Sequence, residues 1–142
     1  MIPVHLRIRS TILSKGEWND EIEQNEVGEF EDRDGQWVLR YWENRGTKDE
    51  VHTVVKATEN EVTIIREGAI AFRQTYRPGH ETGSLIHTPA GEGEMRVRTL
   101  DYRRDRRDNG GVILFSFWLH MGEEEMGQYQ LQIEWTEGTE QP

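Results

Sequence analysis

Apolar and polar residues alternate along most of this chain with a period of two. That spacing puts successive side chains on opposite faces of a β-strand. Val4, Leu6, Ile8, Ser10 and Ile12 alternate with His5, Arg7, Arg9 and Thr11, which predicts a first strand closed by Ser14-Lys15-Gly16. Asp20 to Asp32 is acidic and mixed. Trp18 and Ile22 stand four apart, as on a helix turn, but Val27, Gly28 and Phe30 continue no helical face, so the stretch reads as a second strand. Asp32-Arg33-Asp34-Gly35 is a hairpin turn, because Asp-Gly tolerates the positive φ of a tight turn. Gln36 to Glu43 follows as a third strand. Further strands are expected at Val51 to Ala57, Glu61 to Arg66, Ala69 to Tyr76, Gly83 to Thr88, Glu94 to Tyr102, Val112 to Met121 and Gln128 to Thr136. Turn signals separate them, the strongest being Asp108-Asn109-Gly110-Gly111.

Short turns join antiparallel neighbours, so about ten such strands make an up-and-down meander. An open sheet of that size would leave two long edges, and closure removes both. The expected fold class is therefore all-β, a single antiparallel meander barrel of about 8–10 strands. It would occupy residues 1–137 as one domain, with 138–142 as a flexible C-terminal tail.

Composition narrows the function classes. The 142 residues are 34% hydrophobic and 31% charged, with a formal net charge of −10. That charge repels polyphosphate and anionic lipid, so neither nucleic acid nor a membrane is expected as a partner. No apolar run reaches the roughly 20 residues of a membrane helix. Arg7 and Arg9 interrupt the N-terminal apolar pattern, which argues against an export signal and for a cytoplasmic location. The chain has no cysteine, so disulfides, thiolate metal sites and a cysteine nucleophile are excluded.

The stretch Leu85 to Thr99 carries a Thr-Pro-x-Gly unit (Thr88, Pro89, Gly91) followed by Met95 and Thr99. Gly28, the Tyr41-Trp42-Glu43 end of the third strand, Arg66-x-Gly68 and the Gln128 to Gly138 strand add to it. Together these resemble the YwiB-like family of small uncharacterised bacterial proteins over nearly the whole chain. Where that family often has an aromatic before Thr-Pro, this chain has His87. The resemblance implies a lipocalin-like (calycin) barrel and no known reaction.

Strand parity nominates an interior. Trp37, Tyr41, Phe72, Gln74, Tyr76 and Ser84 fall on one face, so aromatic walls and a few polar groups would suit a small apolar or amphipathic ligand. An uncharged lining would avoid the cost of a buried unpaired charge. The competing reading is a barrel filled by its own side chains, acting outward as a protein interaction module or a homodimer. Arg103, Arg104, Arg106 and Arg107 form a second candidate, an interaction patch for phosphate or carboxylates. Against it stands a solvated hairpin tip, neutralised by Asp101, Asp105 and Asp108, whose arginines would add little stability. The histidines lack metal-ligand spacing, and no phosphate loop or nucleophile elbow occurs, so no metal, cofactor or catalytic residue is expected. His80 and His87 near Thr88 would be an acid-base pair only if the fold brought them together. The reading reached is a non-enzymatic small-molecule-binding barrel, monomeric or homodimeric. An interaction module is the alternative, and an enzyme is the least favoured class.

Overall fold

The computed structural model describes residues 1–14 and 17–138, with backbone alone at 14 and 17–20. All ten alternating segments form strands: β1 (Ile2–Ser14), β2 (Glu17–Arg33), β3 (Gln36–Glu43), β4 (Val51–Ala57), β5 (Val62–Gly68), β6 (Phe72–Tyr76), β7 (Glu81–Thr88), β8 (Gly91–Arg107), β9 (Gly110–Met121) and β10 (Glu124–Glu137). The sheet order is β6-β5-β4-β3-β2-β1-β10-β9-β8-β7, every ladder being antiparallel. Each strand thus pairs with its chain neighbours except β6 and β7, which end the order, and β10 returns to β1. The result is a nearly closed barrel, with no helix among the described residues.

The acidic second segment is a strand because it pairs with β1 through most of its length, and from Gly28 onward with β3 as well. Its outward carboxylates meet β1 arginines, in the pairs Arg7–Glu23 and Arg9–Glu21. Opposite charges set diagonally across a ladder favour that pairing. The β2–β3 turn uses the expected residues: Asp34 and Gly35 have φ of 51° and 92°, and Gly35 N donates to Asp32 Oδ1 at 3.0 Å. The close of β1 at Lys15-Gly16 and the tail beyond Gly138 lie outside the described residues. Gly138 itself donates to Pro3 O at 2.8 Å.

Two stretches read as turns belong to strands. Gly110 and Gly111 open β9 rather than closing the hairpin. A Cβ on Gly111 would stand 2.5 Å from the Trp135 ring, and one on Gly110 would stand 1.9 Å from Trp135 O. Glycine is required here by the close approach of β10, not by a turn. The second stretch is the arginine run. β8 continues through Arg107, so Tyr102, Arg104 and Arg106 share one face and Arg103 and Arg107 the other.

That first face closes one end of the barrel. Phe30, Trp37 and Trp135 form an aromatic plug there, Phe30 stacking on Trp135 at 4.9 Å and Trp37 meeting it edge-on at 5.5 Å. The Arg104 guanidinium lies 4.3 Å over the Trp37 ring and donates to Gly35 O at 2.8 Å and Ala57 O at 2.9 Å. Arg106 covers Phe30 at 4.9 Å and bonds Glu137 at 2.6 Å. The Tyr102 hydroxyl donates to Thr58 O. Arg104 and Arg106 are therefore not a free patch on a solvated tip. Their planar cations stack on aromatic rings while satisfying carbonyls at the strand ends. Arg107 is held by Glu134 at 3.0 Å, and Arg103 is exposed. Arg104→Gln is expected to lower stability by about 1–2 kcal/mol, since it loses charged hydrogen bonds and a cation–π contact. Arg103→Gln should change it by less than about 0.5 kcal/mol. Urea unfolding of the two variants side by side checks the split.

The remaining gap in the ring lies between β6 and β7, and side chains close it. The backbone contributes one bridge, Ala71 with His87, at N···O distances of 2.9 and 2.8 Å. Gln74 is fully buried beside it. Its Nε2 donates to Thr82 Oγ1 at 2.8 Å and Thr75 O at 3.0 Å, and its Oε1 accepts from Ser84 Oγ at 2.7 Å. Gln74 and Ser84 thus serve the seam.

Candidate functional site

The half of the barrel away from the plug is not filled. A cavity of about 230 Å³ opens there. One wall is built by cross-strand pairing: Gly28 faces Tyr41, Tyr41 faces Thr53, Thr53 faces Arg66 and Arg66 faces Phe72. This row runs across five strands. Gly28 begins it because a Cβ there would stand 2.1 Å from Arg40 O and 3.0 Å from Tyr41 Cβ. Ile64 and Tyr76 line it from the same β5 and β6, and Ile8, Ser10, Ile22, Gln24, Phe117 and Leu131 line it from β1, β2, β9 and β10.

The wall contains charge, contrary to the uncharged lining expected from sequence. Glu43 continues the inward parity of β3, and its carboxylate accepts from Arg66 Nη2 at 2.9 Å and Thr53 Oγ1 at 3.0 Å. The side chains of Arg66 and Glu43 are only 23% and 14% exposed, so the pair is screened far less than those on the barrel's outside. Mutual neutralisation and the Thr53 bond make a buried charge tolerable here. Arg66 also lies over the Phe72 ring at 5.9 Å. Its Nε is buried and has no hydrogen-bond acceptor among the described residues.

Three of the four tyrosines are held protonated by burial. Burial raises Tyr41 most; the nearby Glu43 charge adds to the rise, and Arg66 and a Thr53 hydrogen bond oppose it. Burial raises Tyr76 as well, against a smaller pull from Arg66. At the plugged end, burial pushes Tyr102 up to about 12, again opposed by an arginine, Arg104. A phenol whose folded pKa exceeds its unfolded value stabilises fully below about pH 10 and loses that contribution as pH climbs through the folded value. Stability is therefore expected to fall steeply above about pH 10, with tyrosinate absorbance from these residues rising together with unfolding. A spectrophotometric titration followed in parallel by circular dichroism checks the coincidence.

Of the six residues read from sequence as the interior site, Tyr41, Phe72 and Tyr76 line this cavity. Trp37 belongs to the plug, and Gln74 and Ser84 belong to the seam. Sequence reasoning did not assign Thr53, Glu43 or Arg66 to the site. The signal was present, because positions 37, 39, 41 and 43 share one face of β3 and 62, 64 and 66 one face of β5. The histidines do not converge. His80 precedes β7 and His87 lies near its end, roughly 23 Å away at strand rise. His87 instead meets Glu92 on the outside at 3.0 Å. A wider depression of about 730 Å³ over Val27, Trp42 and Arg45 also lies on the outside and is open to solvent.

Comparison with known proteins agrees with this architecture. The chain is 27% identical over 137 residues to the uncharacterized beta-barrel protein YwiB of Bacillus subtilis (strain 168), covering 96% of this chain and 95% of that protein. The crystal structure of the ywiB protein from Bacillus subtilis superposes with a TM-score of 0.81 at 26% identity, covering 97% and 93% of the two chains. A family model described as a domain of unknown function matches residues 6–133, and the chain accordingly belongs to that family, DUF1934.

Proposed function

We propose that this protein is a non-enzymatic carrier or sensor that holds one small, partly apolar molecule in the unfilled half of its barrel. The observation that carries the reading is the asymmetry of the interior. One end is packed with Phe30, Trp37 and Trp135, while the other leaves about 230 Å³ between aromatic and aliphatic walls and one polar cluster. That volume matches about seven or eight water molecules of liquid. It lies below the roughly 300–1,000 Å³ of sites for drug-sized ligands, so the occupant is small. Apolar walls would supply affinity, and the Glu43–Arg66–Thr53 cluster orientation.

The outer faces support an aqueous location, which we take to be the cytoplasm. Outward pairs such as Arg7–Glu23, Arg33–Glu31 and Arg96–Glu81 would be costly against lipid. Among the described residues no helix is long and apolar enough to cross a membrane. A second reading, an interaction module or homodimer, draws on the outer surface around Trp42, which stacks on His52 at 4.4 Å with Arg45 above it at 5.2 Å. The interior reading is preferred because the cleft inside the barrel is less open than the depression around Trp42 and so covers more of a small ligand.

The neutral fluorophore N-phenyl-1-naphthylamine is expected to brighten on mixing, with at best micromolar affinity, and to be displaced by smaller aromatics. Ile64→Trp, which fills the cavity, should abolish the signal while leaving the circular dichroism spectrum β-like. An undiminished signal in that variant would place the probe outside the barrel and move the function to the interaction reading.

A further inference from the structure

β2 has a side that nothing in the chain uses. It pairs with β1 from Glu17 to Phe30, but with β3 only from Gly28 to Arg33. Trp42 and Glu43 continue β3 alongside β4 and leave β2 behind. The β3–β4 loop does not fill the gap, because it bonds to itself. Thr47 N and Oγ1 donate to Asn44 O at 3.1 and 2.7 Å, and Gly46 N to Glu50 Oε1 at 2.9 Å. Among the described residues no backbone bond from a turn or loop reaches Glu17 to Val27. Every second residue of an antiparallel strand turns both its N–H and its C=O to the same side. The stretch before Gly28 therefore presents a row of unpaired donors and acceptors, a template for a further strand. The irregularity between Ser10 and Ile12 ends its regular part at Ile22, so the usable edge runs from Ile22 to Val27.

Apolar groups stand along this edge. Ile22 and Val27 are 65% and 59% exposed, more than any other large apolar side chain among the described residues. Beside Val27 lies the outer depression that His5, Glu26, Trp42 and Arg45 border. An added strand would cover these side chains and satisfy the free backbone in one contact.

Charge chooses the occupant. Residues 17–27 include Glu17, Asp20, Glu21, Glu23 and Glu26 and no Lys or Arg. Arg9 and Arg7 meet Glu21 and Glu23 from the β1 side, and Glu26 is met by the neutral Gln24 amide at 3.1 Å. The cation across the depression, Arg45, is held over the Trp42 ring. Two copies joined edge to edge would set these acidic stretches against each other, between molecules that each carry a net charge of −10. An extended segment with Lys or Arg at alternate positions would meet opposite charge instead.

Independently of what the cavity holds, we propose that the β2 edge from Ile22 to Val27 takes up an extended, basic segment of another protein as an added strand. Main-chain bonds set its register. Its cations lie on the outer face beside Glu21 and Glu23, with their aliphatic stems over Val27, and its apolar residues cover Ile22 on the other face.

The test titrates short blocked peptides into the ¹⁵N-labelled chain: Lys-Val-Arg-Val-Lys-Val, its acidic counterpart Glu-Val-Asp-Val-Glu-Val, and Lys-Pro-Arg-Pro-Lys-Pro, equal in charge but unable to lay down a ladder. The first is expected to bind about ten-fold more tightly than the other two, and to slow solvent exchange of alternate amides between Ile22 and Val27. Glu21→Gln/Glu23→Gln should weaken it about ten-fold, whereas Ile64→Trp, which fills the cavity, should leave it unchanged. If the Gln variant fails to fold, salt decides on the unmodified chain: about 0.5 M should loosen the first peptide several-fold relative to about 0.05 M. Equal binding of the acidic peptide overturns selection by charge, and equal binding of the proline peptide overturns strand addition. Displacement of the first peptide by Ile64→Trp places it in the cavity and overturns the proposal. A peptide-free dimer whose β2 amides are already protected makes a second copy the occupant and does the same. So do binding that leaves Ile22 to Val27 unmoved and the absence of any binding.

Discussion

Replacing Trp135 by alanine is expected to lower folding stability by about 3–5 kcal/mol, a large share of the roughly 5–15 kcal/mol typical of such proteins. Trp135 is 2% exposed, stacks on Phe30 and meets Trp37, and its ring lies over Gly111. Truncation would remove the centre of the plug and leave the Phe30 and Trp37 rings, which carry Arg106 and Arg104, without their shared partner. The surrounding strands are held by ladders on both sides and could collapse only partly, which is the condition for a large cavity penalty. Trp135→Phe should cost less, below about 2 kcal/mol, because it keeps an aromatic ring and removes the indole Nε1–H, which has no acceptor among the described residues. Gly111→Val approaches the same place from the other side and should destabilise through overlap with the ring. Urea unfolding of the three variants checks the order. If Trp135→Ala unfolds at the parent's urea concentration, the plug is not what holds that end together.

Gln74→Leu is the second large effect expected, about 2–4 kcal/mol. The substitution keeps the volume but removes three hydrogen bonds at about 1 kcal/mol each, and it strands the Ser84 hydroxyl in a partly buried seam. The loss should be local as well as global. Beyond Gln74, the seam is joined by the Ala71–His87 bridge and the Thr82 hydroxyl on Thr75 O, so the loss of Gln74 leaves the barrel weakly closed there. Amide exchange at Ala71 and His87 should accelerate more than exchange in the long β1–β10 ladder. Uniform acceleration in all strands would show that the seam is not a separable weak line. Gln74→Glu, nearly isosteric, tests whether the amide Nε2–H groups are the essential part, since a carboxylate cannot donate to Thr82 and Thr75 O.

The meander was legible because its determinants are local. Apolar residues at every second position, interrupted by Asp-Gly, Pro-Gly and Asn-Gly signals, define strands without reference to the rest of the fold, and the predicted Gln36 to Glu43 and Val51 to Ala57 match β3 and β4 residue for residue. The full length of β8 was not legible. Alternation is invisible in Tyr102-Arg103-Arg104-Asp105-Arg106-Arg107, since both faces are polar, and the rings that receive Arg104 and Arg106 come from β2 and β3. The role of Gln74 was hidden for a similar reason. Its parity correctly points inward, but nothing local says that β6 lies at a seam needing side-chain closure. The candidate site was half legible. Tyr41, Phe72 and Tyr76 follow from parity and apolarity, whereas Glu43 and Arg66 share that parity and were passed over because a lone buried charge is unfavourable. Each is tolerable only because the other, two strands away, stands 2.9 Å from it. Gly28, Tyr41, Glu43 and Arg66 did carry the family resemblance, and three of them line the cavity while Gly28 begins the wall row.

The central claim, that one end of this barrel is packed and the other receives a small molecule, is tested most directly by fluorine NMR of the chain made with 3-fluorotyrosine and titrated with ethylbenzene. Tyr41 and Tyr76 line the cavity, and Tyr102 closes the plugged end. Saturable shifts of the Tyr41 and Tyr76 resonances, assigned by Tyr→Phe variants, with Tyr102 unmoved, are the expected result. Resonances that stay fixed to the solubility limit of the probe, or a shift confined to Tyr102, would contradict the account.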